Sequence, residues 1–253
     1  MGVMAWWDKV RSGWDEAQHR LASASRDAQD RWQAAQKSAQ TSAEHWVKLF
    51  VQAQQSASDP RALSHALAEA LRSTQRQLDR HAPAVSVGAF RQAGAGVSVA
   101  DGIKLTYVRP DGPVRGQIRI SDLFGRLAHL SVGVGAAGFA ACLYGPRSAL
   151  LEPGRWRGGD AGIWVASVGL FTATSAGTKH TRVAPRAAGW MVGLGVGVGL
   201  GLPIISDLGA FELEERVNQS FPLATSDSQA LETILAEAPD CRVRRTIAQR
   251  LTS

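Results

Sequence analysis

The sequence predicts an α+β protein that consists of a long amphipathic helical hairpin, a glycine-rich antiparallel β domain and a short helical tail. Residues 1–82 place apolar side chains every three or four positions, which is the spacing of helices with one apolar face. Residues 83–217 change to a period of two, which is the spacing of strands. Residues 218–253 return to helical spacing. These changes of period divide the chain into three predicted regions.

The N-terminal region begins with an apolar stripe that runs through the first fifty residues and includes Trp7, Trp14, Trp32 and Trp46. Its average step of about 3.6 residues indicates a straight helix rather than a coiled coil. Two interpretations are open: the stripe packs on a partner helix or on the sheet, or its tryptophans lie at the headgroup depth of a membrane. A second helix is predicted to start at Asp59-Pro60, with the aspartate as N-cap.

The β domain is predicted to start at residue 84 and to turn at residues 110–113. The sequence there is Pro-Asp-Gly-Pro, which favours a tight turn before a return strand at 116–120. Residues 192–202 alternate strictly between glycine and valine or leucine. On a strand the glycines form one bare face, which suits close approach of another layer such as the Trp-bearing helix. About seven strands joined by short turns are expected in this region, which predicts a barrel or a strongly curled sheet.

Three uncharged runs leave a helical alternative open for the same region. Residues 127–146, 161–178 and 187–206 each contain 18 to 20 residues without a charge, which is the length of a membrane-spanning helix. On a helix, Gly193, Gly197 and Gly201 would form a seam of small residues of the kind that packs membrane helices together. Gly, Ala, Ser and Thr dilute all three runs, so strands are favoured over three glycine-rich transmembrane helices.

The tail is predicted to contain two short helices. Ser226 and Gln229 have the spacing of a capping box, and Pro239 would end the first helix. Asp240 would cap a last basic helix that carries Arg242, Arg244, Arg245 and Arg250.

No catalytic, cofactor-binding or metal-binding residue is predicted, and we do not expect an enzyme. Residues 133–138 match Gly-x-Gly-x-x-Gly, but Gly145-Pro146 would interrupt the helix that a dinucleotide site requires. Two cysteines are too few for a disulfide framework or a zinc site, and the six histidines do not cluster. We interpret Glu212, Glu214 and Glu215 as a solvated acidic face.

The uneven charge of the chain favours a membrane as its partner. Residues 83–186 carry 12 Lys or Arg against 5 Asp or Glu, so the net charge of +6 is concentrated beside the apolar runs. Anionic lipid headgroups would be attracted there. Nucleic acid is not expected, because these arginines are spaced singly and no aromatic stacking platform accompanies them.

We therefore expect a non-catalytic protein that associates with membrane lipid, in particular anionic lipid. Because residues 1–7 are too short for a secretory signal, the expected location is the cytoplasmic side of a membrane. The alternatives are a pore-forming or membrane-disrupting effector and a multi-span helical membrane protein with a cytosolic arm; assembly into a homo-oligomer is left open. The residues expected to contact lipid are Trp7, Trp14, Trp32, Trp46, Trp190, Val192, Leu194, Val196, Val198 and Leu200.

Overall fold

The computed structural model describes residues 59–163, 166–175, 185–198 and 207–252. Within these ranges it describes all side chains except those of residues 91–98, 129–137, 161–163, 166, 194–198 and 207–209. The predicted N-terminal stripe, with Trp7, Trp14, Trp32 and Trp46, lies outside the described residues, as does Leu200.

The described elements alternate between long strands and short helices. In chain order they are α1 (Pro60–Thr74), which continues as the 3-10 turn Gln75–Gln77, then β1 (Ala84–Val108), β2 (Gln117–Tyr144), α2 (Arg147–Leu151), β3 (Gly154–Ile163), β4 (Ala166–Ser175), β5 (Ala187–Val198), β6 (Asp207–Pro222), α3 (Thr225–Ala236) and α4 (Arg242–Arg250).

The strands form an antiparallel barrel, as the period of two predicted. Strands β1 and β2 pair along their whole length, with a register shift between Ala95 and Val97. The other edge of β2 changes partner: its first half pairs with β6 and its second half with β5. Strands β5, β4, β3 and β6 pair in that order and complete the ring. Counting each half of β1 and β2 separately, the described residues form eight antiparallel strands of this barrel.

The helical alternative for the three uncharged runs is wrong. Residues 127–144 belong to β2, residues 161–163 and 166–175 to β3 and β4, and residues 187–198 to β5. Their backbone groups pair between neighbouring strands rather than along a helix. Among the described residues, none of the helices combines the length and the apolar character needed to cross a membrane.

Side chains of the strands alternate between two apolar cores. One core lies within the ring of strands and includes Phe139, Trp156, Phe171, Phe211 and Leu213. The other lies between the outer face of the strands and the helices, where side chains of β1, β2 and β5 pack against α1, α3 and α4. Successive side chains of a strand thus belong to different cores.

Close approaches inside the barrel explain several glycines. A Cβ on Gly102 would lie 2.3 Å from the backbone oxygen of Ala89, and one on Gly88 would lie 2.9 Å from that of Ile103. The two halves of β1 therefore lie close together here, where a side chain would collide with the opposite backbone. On β5, Gly189 has the same constraint, because its Cβ would lie 2.2 Å from the oxygen of Cys142. The described part of this face, Gly189 and Gly193, lies on the same side of β5 as Ala187 and Met191, which belong to the core within the ring.

Local signals predicted the turn and the first described helix well. Asp59 caps α1 by accepting a hydrogen bond from the backbone N–H of Arg61 at 2.9 Å. In the turn between β1 and β2, Asp111 pairs with Val114, and Gly112 has a φ of 55°, which favours glycine.

Both predicted caps in the tail are wrong. Helix α3 starts at Thr225, so Ser226 lies inside its first turn and cannot act as the N-cap. Helix α4 follows Cys241, which makes no side-chain capping bond. The Asp240 carboxylate instead pairs with Arg245 at 3.0 Å.

Candidate functional site

The structure places Trp190, a predicted lipid contact, in the core. Its side chain lies on the outer face of β5 and is only 1% exposed. The guanidinium of Arg244 in α4 covers the ring, 4.7 Å from its centroid. Val192, two residues further along β5, is partly buried against the same core. Leu194, Val196 and Val198 continue the alternate positions of β5. Their contact with lipid, like that of Trp7, Trp14, Trp32, Trp46 and Leu200, stays a prediction.

Helix α4 presents an exposed apolar stripe. Val243, Ile247 and Leu251 are spaced four residues apart and are 74%, 43% and 40% exposed. Residues with this spacing share one face of a helix. Because large apolar side chains rarely line up on an exposed face without a partner, this stripe is a candidate interaction surface.

Arginines surround the stripe. Helix α4 carries Arg242, Arg244, Arg245 and Arg250 and contains no acidic residue. Arg242 and Arg244 are exposed, and Arg244 also stacks on Trp190. A helix with an apolar stripe and basic flanks is typical of segments that lie in the surface of an anionic membrane.

Asp79 fixes the orientation of α4. Its carboxylate is fully buried and receives hydrogen bonds from the Tyr144 hydroxyl at 2.6 Å and the Arg245 guanidinium at 3.2 Å. The backbone N–H of Cys241, the residue before α4, also donates to it, at 3.3 Å. These bonds hold one side of the helix against the barrel, so the stripe stays on the outside.

Strand β4 adds exposed apolar surface beside α4. Leu170 pairs across the sheet with Trp190, and Val168 pairs with Val192, so both lie next to the residues that α4 covers. They are 39% and 46% exposed. We call the combined surface of Val168, Leu170, Val243, Ile247 and Leu251 the α4 surface.

Exposed apolar residues elsewhere have charged neighbours. Val99 and Phe124 are 55% and 54% exposed on the outer face of β1 and β2. Val99 pairs with Arg126, and Phe124 pairs with Asp101. A small group of apolar side chains among charges is common on protein surfaces and does not by itself indicate a partner.

A charged cluster lies inside the barrel, in a position that the sequence analysis did not predict. The Glu215 carboxylate accepts hydrogen bonds from Lys104 Nζ at 2.8 Å, Trp156 Nε1 at 2.8 Å and Ser121 Oγ at 2.6 Å, and it also pairs with Arg119. Lys104 lies 3.9 Å from the centroid of the Trp156 ring. Glu215 is therefore not part of a solvated acidic face, because it is only 1% exposed.

Burial and mutual attraction shift the ionisation of this cluster in opposite senses. Burial lowers the pKa of Lys104 to about 8, even though the neighbouring Glu215 carboxylate favours the charged amine. Burial alone would raise the pKa of Glu215, but the charges of Lys104 and Arg119 outweigh it and hold that pKa at about 2. The single carboxylate of Glu215 thus forms ion pairs with both Lys104 and Arg119.

A small cavity adjoins the cluster. It has a volume of about 20 Å³, which is room for about one water molecule, and Lys104, Arg119 and Trp156 contribute to its lining. Glu152 and Arg186, which form a half-exposed ion pair, also line it. In the part of the chain that the structure describes, no group of three or more His, Cys, Asp or Glu side chains could hold a metal ion.

Short-range signals could have revealed only part of these features. The spacing of Val243, Ile247 and Leu251 is visible in the sequence. The buried cluster is not, because Lys104 and Glu215 lie 111 residues apart. Comparison with known proteins adds no relative: no family model, curated protein or solved structure matches this chain.

Proposed function

We propose that the protein is a non-catalytic, peripheral membrane protein that binds anionic lipid through the α4 surface. The observation that carries this proposal is the exposed Val243, Ile247 and Leu251 stripe on a helix whose charged residues are all arginines. The apolar side chains would enter the headgroup region, and the exposed Arg242 and Arg244 would remain beside the lipid phosphates.

The expected affinity is modest. Each arginine near an anionic surface contributes about 1 kcal/mol. Each apolar side chain that is roughly half exposed contributes about 1 kcal/mol on transfer out of water. Part of this gain is offset by the loss of free motion on binding. The association should therefore be reversible, and it should weaken as salt screens the arginines.

The outer face of β3 and β6 favours a peripheral mode over a spanning barrel. Glu212 on β6 pairs there with Arg157 at 2.8 Å and with Arg155 at 3.5 Å, both from β3. Barrels that span a membrane have an apolar band on their outer face. We therefore expect binding to intact vesicles without leakage of a trapped dye. Leakage would favour the pore-forming alternative.

Co-sedimentation with vesicles tests the proposal. The parent should sediment with vesicles of 70% phosphatidylcholine and 30% phosphatidylserine, and much less with pure phosphatidylcholine. Replacement of Val243, Ile247 and Leu251 by serine should reduce the bound fraction at least fivefold. The matched control replaces Val99 and Phe124 by serine, since these residues are similarly exposed on another face. If both variants bind as the parent does, the α4 surface is not the lipid site.

A further inference from the structure

The cluster inside the barrel contains one positive charge more than it contains negative charges. Lys104, Arg119 and Glu215 are 3%, 2% and 1% exposed, so two cations and one carboxylate are removed from water together. The polar side chains buried nearby, Ser86, Thr106 and Ser121, are neutral. A buried charge without a counter-charge is costly, and proteins normally compensate it.

Both cationic groups of the cluster retain hydrogen-bonding capacity next to the cavity. Nε of Arg119 is buried and has no hydrogen-bond partner among the described residues. The other guanidinium nitrogens of Arg119 donate to Glu215 and to the backbone oxygens of Leu150 and Glu152. The Lys104 ammonium has three N–H groups, of which one donates to Glu215. Both side chains line the cavity.

We propose that this cavity binds one small monovalent anion of halide size, held by the Lys104 ammonium and the Arg119 guanidinium. Such an ion neutralises the excess charge and accepts hydrogen bonds from the N–H groups that do not donate to Glu215. The volume of about 20 Å³ selects against larger anions, because it accommodates only about one water-sized species. The half-exposed pair of Glu152 and Arg186, which also lines the cavity, leaves a route to solvent.

Thermal unfolding in different potassium salts at one ionic strength tests this site. Gluconate is far larger than the cavity, whereas chloride and bromide are single ions only a little larger than a water molecule. We expect the midpoint of the parent to rise by about 2–4 °C when chloride or bromide replaces gluconate, with saturation at high halide concentration. Equal midpoints in all three salts would overturn the proposal.

Lys104→Met provides the decisive variant. It leaves Arg119 and Glu215 as a neutral pair, so the cluster has no excess charge and the barrel is expected to fold. The halide effect should disappear in this variant and persist in the control Arg157→Met, which alters an exposed ion pair on the outer face. A halide effect of full size in Lys104→Met would place the ion elsewhere and refute the assignment.

Crystals of the parent soaked in bromide test the same site without a variant. An anomalous peak within contact distance of Lys104 Nζ and Arg119 Nε is the expected result. A cavity occupied only by water, with no anomalous signal, would contradict the proposal.

Discussion

At the scale of single residues, Glu215 shows that alternation along a strand predicts burial even for a charged residue. Phe211, Leu213 and Glu215 share the inner face of β6, whereas Glu212 is exposed on the outer face. Strict use of the period of two would have placed Glu215 inside with the apolar residues. The sequence alone does not show why the Glu215 carboxylate can be buried. The compensating cations, Lys104 and Arg119, reach it only through the pairing of strands that are distant in sequence.

Lys104 should give the protein a defined pH dependence. Its pKa is about 8 in the folded protein, against 10.5 as the ordinary value. Between these values the unfolded chain binds more protons than the folded protein, so the contribution of Lys104 to the free energy of unfolding increases with pH. Below pH 8, Lys104 is charged in both states, so the full cost of burying its charge lowers the free energy of unfolding.

We therefore expect the stability of Lys104→Met minus that of the parent to fall by about 3 kcal/mol between pH 8 and 10.5. The measurement is urea unfolding of both proteins in potassium gluconate across this range. A difference that is independent of pH would show that Lys104 is not buried as a cation.

Two glycines on the same face of β5 offer a matched pair of substitutions. A Cβ on Gly189 would lie 2.2 Å from the backbone oxygen of Cys142, which cannot move without breaking the sheet. A Cβ on Gly193 would lie 2.6 Å from Ser167 Oγ, which can rotate away. We expect Gly189→Ala to destabilise the barrel by about 1–3 kcal/mol and Gly193→Ala to change its stability by less than about 1 kcal/mol. Chemical denaturation of both variants measures the two changes in stability. Equal losses of stability in Gly189→Ala and Gly193→Ala would contradict this prediction.

At the scale of elements, the sequence predicts that a strand or helix is present better than it predicts where that element begins and ends. The apolar alternation is interrupted between Ala89 and Val97, yet Ala84–Val108 forms the single strand β1. The residues of this interruption do not break the strand, because β2 supplies pairing partners along its whole length. Helix α4 was predicted as a basic helix, but its anchor was not, since Asp79 precedes it by more than 160 residues.

The anchor of α4 can be tested without unfolding the barrel. Arg245→Met removes the ion pair with Asp79 but leaves the Tyr144 hydrogen bond to the same carboxylate. We expect amide hydrogen exchange in residues 242–250 to accelerate at least tenfold while β5 stays protected. Arg242→Met serves as control, because Arg242 is exposed, and it should leave exchange unchanged. Parent-like exchange in Arg245→Met would mean that packing alone holds the helix.

At the scale of the whole molecule, the barrel class follows from composition and period, but the strand order does not. Neighbouring strands in the sequence, such as β1 with β2 and β3 with β4, pair as short turns predict. The pairing of β2 with both β5 and β6 depends on a change of partner in the middle of one strand. No local pattern marks that change, because both halves of β2 have the same period.

Two truncations should separate the barrel from the proposed lipid site. A chain that ends at Pro239 lacks α4 but keeps every described strand, so we expect it to remain folded and to lose vesicle binding. A chain that ends at residue 206 also lacks β6, which leaves edges of β2 and β3 unpaired and should cause aggregation. Circular dichroism and vesicle sedimentation report the two properties. Undiminished binding by the chain that ends at Pro239 would contradict the proposed function.

The divided pairing of β2 also has a consequence during synthesis. Gln117, at the start of β2, pairs with Pro222, about 100 residues later in the chain. A ribosome that adds about 5–20 residues per second needs about 5–20 s to supply the missing strand. During that time the nascent chain exposes the edge of an apolar sheet that it cannot yet cover. We expect the yield of folded protein in cell-free translation to depend on chaperones that bind such edges, more strongly than refolding of the finished chain does.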